Sequence, residues 1–179
     1  YFIRAKRDNN KSSTTESLRR FYERDKYSVL KQDDTFENLK DLAQFWEDIT
    51  DQNRERFSEE VLKKLFILNY APNSMWNYFI SVYYLANRTE DGKLDDEDFK
   101  MFLDRTIAFI WGYAIMHPGV NALRTPIFAE MLNIVNLNEV TFSDFKFDKE
   151  QTRSAILIYD FKNGRPITKS MLALRMMLN

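Results

Sequence analysis

The stretch Asn87–Asp98, NRTEDGKLDDED, spaces oxygen-bearing side chains in the manner of a calcium loop. With Gly92 at the loop's glycine position, Asn87, Thr89, Asp91, Asp95 and Asp98 fall at ligand positions and Leu94 at the apolar one. A calcium ion takes six to eight oxygens, which a helix–loop–helix supplies. Two positions are poor. Asn87 stands where an Asp serves best, and Asp98 is shorter than the bidentate Glu that closes such loops. No second loop of this kind pairs with it. The preferred reading is a solvated turn whose acids face the positive end of the next helix, and no metal is assigned to it. His117 is the chain's one histidine, and there is no cysteine. A zinc set therefore has no second His or Cys to complete it. A histidine at a helix C-terminus is favoured by the helix dipole, so His117 reads as a cap or surface residue.

Two further stretches suit anions. Arg124 and Thr125 precede one helix, and Arg165, Thr168, Lys169 and Ser170 precede another. Basic and hydroxyl residues at helix N-termini bind phosphate readily. The plainer alternative is ordinary capping with a salt bridge from each Arg. No glycine-rich phosphate loop is present, which argues against nucleotide hydrolysis by this chain. Trp and Tyr side chains in the central helices could stack on bases, but their helical spacing assigns them to the core first.

The elements that carry these residues are helical by pattern. SSTTESLRRFYERDKYSVL, with Ser13 and Glu16 in capping-box arrangement, predicts a helix over about 14–30. TFENLKDLAQFWEDIT places Leu39, Leu42, Phe45, Trp46 and Ile49 at helical spacing, with Thr35 as the expected N-cap. Ser58 caps the next helix, whose Leu62, Leu65 and Phe66 are expected to face inward. SMWNYFISVYYLANR is apolar on most sides and reads as a buried helix. A long helix over roughly 96–116 follows and stops at His117–Pro118–Gly119. NALRTPIFAEMLNIVN makes the next, with Pro126 in its first turn. The segment 140–147 alternates apolar residues and reads as extended or as a single turn. A helix capped near Asp148 and a final helix starting at ITKSMLALRMMLN complete the chain.

Composition agrees with this pattern. The 179 residues are 44% hydrophobic and 15% aromatic, enough for a sizeable core and too apolar for a disordered chain. Four Gly and four Pro allow few turns, against a many-turned β-sandwich. The absence of cysteine excludes disulfides, thiolate metal sites and a cysteine nucleophile, and suits a cytoplasmic protein. The longest apolar run, Ile107–Met116, is about half of the ~20 residues a membrane span needs, so no membrane is expected. Net charge is −1 but unevenly spread. Residues 1–31 carry nine Lys/Arg against four Asp/Glu, and residues 33–60 carry three against ten. Residues 161–179 carry four basic residues and no acidic one. Basic ends can meet phosphates, although such runs are commonly solvated faces.

TIAFIWGYAIMHPGVNALRTPIFAEMLNIVN and FKFDKEQTRSAILIYDFKNGRPITKSML resemble the helical region of GmrSD-type modification-dependent restriction endonucleases. The likeness runs over roughly residues 60–178. These large bacterial defence proteins pair an N-terminal ParB-like NTPase domain with a C-terminal HNH nuclease domain. The resemblance implies that both catalytic motifs lie outside this chain. His117 does not match the HNH motif, and no catalytic residue carries over. Met171, Leu172, Leu174, Met176, Met177 and Leu178 surround the last helix with apolar side chains, which also suggests a fragment of a longer protein.

The expectation is therefore an all-α, single-domain helical bundle of about seven or eight helices spanning residues 1–179. Residues 1–33 are an arm or helix, and a short extended piece near 140–147 is allowed. Its function would be that of a non-catalytic, cytoplasmic connector and DNA-facing module of a phage-defence endonuclease, without a cofactor of its own. Flanking domains would be its partners, and Arg124, Arg165 and Lys169 would reach DNA phosphates, with Thr125, Thr168 and Ser170 as anion-binding positions. Two alternatives are a stand-alone helical protein-interaction domain and an EF-hand-like calcium-binding protein.

Overall fold

Scarce glycine and proline, together with well-placed caps, turn the chain into a succession of helices. The structure, a computed structural model, describes residues 1–7, 17–71, 74–117, 123–143 and 148–158. The helices are α1 (Phe2–Arg7), α2 (Leu18–Glu23), α3 (Asp33–Thr50), α4 (Glu59–Leu68), α5 (Met75–Asn87), α6 (Asp96–Met116), α7 (Arg124–Val135) and α8 (Lys149–Ile158), with a 3-10 segment at Arg24–Lys31. Among the described residues there is no strand, and the helices form a single bundle-like domain.

Side-chain oxygens start four of these helices by accepting an otherwise orphaned backbone N–H. Ser17 accepts from Arg20, Ser58 from Val61, Asp95 from Asp98 and Asp148 from Gln151. Pro126 sits at the third position of α7, where its missing N–H costs no helix bond.

α4 packs on α6, α5 on α7 and on α3, α1 on α7 and α5, and α8 on α6. Phe45, Phe79, Ile80, Leu103, Ile110 and Ile127 are buried at the centre. Burying each such side chain contributes about 1.5–3 kcal/mol. Ring stacking adds orientation: Phe45 lies 4.1 Å from Tyr84, and Tyr83 3.9 Å from Phe102. Arg4, only 1% exposed, runs between the rings of Phe21 and Phe128, 5.8 and 5.7 Å from their centroids. α1 is thereby part of the core and not a free arm.

The structure differs from the pattern in three places. The helix expected over 14–30 ends at Glu23. Asp25, Lys26 and Tyr27 then take left-handed backbone angles, φ 48°, 54° and 63°. Each costs an L-residue about 1–2 kcal/mol, so tertiary contacts must hold the break. Thr35 is not the N-cap of α3, which is Gln32. Its hydroxyl instead donates to the Val29 carbonyl at 3.3 Å, tying α3 to the preceding segment. Leu39 points outward, 61% exposed, and Phe66 is exposed as well. Of the segment 140–147, the described residues 140–142 belong to no helix and 143 lies in a turn, with Val140 and Phe142 buried. Residues 144–147 and the expected final helix lie outside the described residues. No described helix is long and apolar enough to cross a membrane.

Candidate functional site

α3 and α5 are drawn together by a short polar relay. The Trp46 indole N–H donates to the Ser81 hydroxyl at 3.0 Å, and that hydroxyl donates to the Asn77 carbonyl at 2.7 Å. Trp46 also meets Trp76 edge to face at 5.9 Å. Beside this junction lies a groove of about 540 Å³, lined by residues of α3 and α5 and also by Phe2 and Ile3 of α1, Tyr22 and Leu30. That volume lies within the range of small-molecule pockets. Leu42, Val82 and Leu85 are among its apolar lining residues. Leu39, Tyr78 and Leu30 line it as well, and are 61%, 48% and 47% exposed. Tyr1 lies against Tyr78 with ring centroids 5.0 Å apart. The Asn77 side-chain oxygen lies buried without a hydrogen-bond donor. The groove thus presents exposed Leu and Tyr side chains beside a few amides and hydroxyls.

The pattern pointed elsewhere, for a physical reason. Leu39 and Leu42 sit on the same helical stripe as buried Phe45, and spacing alone does not tell a core side chain from one lining an open groove. The exposed side chain of Phe36, one turn before Leu39, continues the apolar surface of α3.

Four of the calcium-loop residues have partners within the protein. Thr89 donates its hydroxyl to Asp91 at 2.6 Å, and Asp91 also pairs with Lys93 at 3.0 Å. The Thr89 and Lys93 partners hold the exposed Asp91 carboxyl below its ordinary range. Asp95 caps α6, and the Asn87 amide donates to the Tyr83 carbonyl. Gly92, at φ +73°, presents its carbonyl to Arg56 and to the Tyr84 hydroxyl. Arg56 in turn pairs with buried Asp48 at 3.1 Å. The turn is thus fastened to α3 through the Arg56 guanidinium and to α5 through the Tyr84 hydroxyl. Among the described residues no three His, Cys, Asp or Glu side chains are grouped to hold a metal ion.

Asn87 and Asp98 instead border a second hollow of about 370 Å³, with Tyr83, Met101 and Arg105. Burial, then the charges of Asp98 and Asp95, push the Tyr83 phenol up to about 12. Arg105 is committed to Glu139 at 2.7 Å and to the Val140 carbonyl at 3.0 Å.

Of the anion candidates, Arg124 is the first residue of α7 and half-buried, with its Nε enclosed and lacking an acceptor, and Thr125 beside it is exposed. Arg165, Thr168, Lys169 and Ser170 lie outside the described residues. His117 ends α6, donating its backbone N–H to Tyr113, with its ring 4.7 Å from the Tyr113 ring. Compared with protein-family models, curated proteins and solved structures, the chain matches none.

Proposed function

We propose that the chain is a non-catalytic helical connector that seats an apolar helix of a neighbouring domain in the groove between α3 and α5. The observation that carries this reading is the exposure of Leu39, Tyr78 and Leu30 along an apolar groove of about 540 Å³. Monomeric surfaces tolerate scattered apolar residues, but a contiguous set lining a concavity marks an interaction site. Leu, Tyr and Trp anchors with a few amides suit a helix laid into a groove, where a handful of buried side chains carry most of the affinity. The resemblance to GmrSD-type enzymes supplies the neighbours, a nucleotide-handling domain and an HNH nuclease domain. The chain's role there is to keep the two in register, with its basic ends against DNA phosphates.

Leu39→Glu tests the reading in the full polypeptide encoded by the gene. The side chain already faces water, so the domain's own stability should change by no more than ~0.5 kcal/mol. Seating a carboxylate against an apolar helix should release that helix, opening a new protease cleavage next to this domain. A cleavage pattern identical to that of the native protein would overturn the reading.

A further inference from the structure

The segment from α2 into α3 holds a conformation its residues do not favour. LRRFYERDKYSVLK, residues 18–31, contains no Gly, Pro or Asn. Yet Asp25, Lys26 and Tyr27 are left-handed in succession. L-residues visit that region singly, and Asp is the only one of these three that tolerates it well. Such outliers persist only where flanking contacts fix them, and they gather at switch regions.

The flanking contacts are identifiable. Before the turn, Phe21 is buried, with the guanidinium groups of Arg4 and Arg24 at 5.8 and 5.3 Å from its ring. After it, Val29 is buried, and its carbonyl accepts from the Thr35 hydroxyl. Between these two anchors Asp25–Ser28 are all exposed, Tyr27 by 49%, and none is buried against the core. Tyr22 and Leu30, one on each side of the turn, both line the α3–α5 groove.

We propose that Arg24–Lys31 is a two-position strap over that groove. In the closed position, seen here, the left-handed turn seats Val29 and lays Leu30 along the groove. In the open position residues 24–28 wind right-handedly onto α2, Val29 leaves its seat, and Leu30 lifts away. The energy stored in the turn offsets part of the cost of unseating Val29, so a bound helix needs to supply only the remainder. The gating consequence rests on the groove being a docking site, whereas the backbone switch does not.

The test follows both. NMR exchange measurements on residues 24–29 report the backbone. A Leu85→Cys reporter in this cysteine-free chain reports groove access through its thiol-labelling rate. Tyr27→Gly eases the left-handed turn and should lower the open population roughly five- to ten-fold. Asp25→Ala makes the turn costlier and the helix easier, and should raise that population several-fold, with helical carbon shifts in the minor state. Thiol labelling should fall and rise in step. Absence of a helical minor state in Asp25→Ala overturns the switch. A backbone population that moves while labelling stays constant overturns the gate, and leaves the docking reading to the separate Leu39→Glu result.

Discussion

Trp111 shows how one side chain combines a large stabilising contribution with a small defect. It is 5% exposed, and its indole N–H is enclosed without an acceptor. Truncation to Ala should cost about 3–5 kcal/mol in urea unfolding, as expected for a large buried ring. Trp111→Phe removes the unsatisfied donor, whose burial costs about 1–3 kcal/mol, and so should cost well under half as much. Equal losses for the two variants would show that the N–H is bonded. Tyr83 makes the matching argument for charge. Its phenol is raised to about 12, first by burial and then by Asp98 and Asp95. In the unfolded chain it ionises near its ordinary value of 10.0. Between those pH values the folded state holds the proton and the unfolded state has lost it. Stability must therefore fall as pH rises from about 10 to 12, and is unaffected by this group below that window. Tyr83→Phe should flatten the decline, which thermal unfolding across alkaline pH would register.

At the scale of elements, caps and loop geometry decide where helices begin. Ser58 accepts from Val61, and its own N–H donates to Asp96 at the start of α6, so it joins two helices. Ser58→Ala should cost about 1 kcal/mol. Gly92→Ala should cost more. The glycine sits at φ +73°, and an added Cβ would stand 3.3 Å from both Arg56 and Tyr84. α4, α6, α7 and α8 could be read from the chain because Ser58, Asp95, Pro126 and Asp148 announce them within one turn of sequence. The break after Glu23 could not, because nothing in RDKYS asks for left-handed angles, and distant contacts at Phe21 and Val29 impose them. Thr35 misled for a similar reason. A hydroxyl two residues after Asp33 reads as a cap, and only the fold shows that it serves the Val29 carbonyl. The groove escaped notice because Leu39 and buried Phe45 obey the same periodicity.

At the scale of the whole molecule, the proposed function gives the helical bundle two kinds of partner, a neighbouring domain and DNA. The basic termini give the DNA half of the proposal its test. Replacing Arg165 and Lys169 together by Gln in the full polypeptide should lower DNA affinity and flatten its salt dependence by about one unit per lost phosphate contact. An unchanged slope would return these residues to ordinary capping. The central claim, that the α3–α5 groove is filled in the working protein, has a more direct measurement. Hydroxyl-radical footprinting can compare Leu39, Tyr78 and Leu30 in this chain alone and in the full polypeptide. Their oxidation should drop several-fold in the full polypeptide, while that of exposed Met101, beside the second hollow, stays the same. Equal oxidation of the groove residues in both would contradict the account.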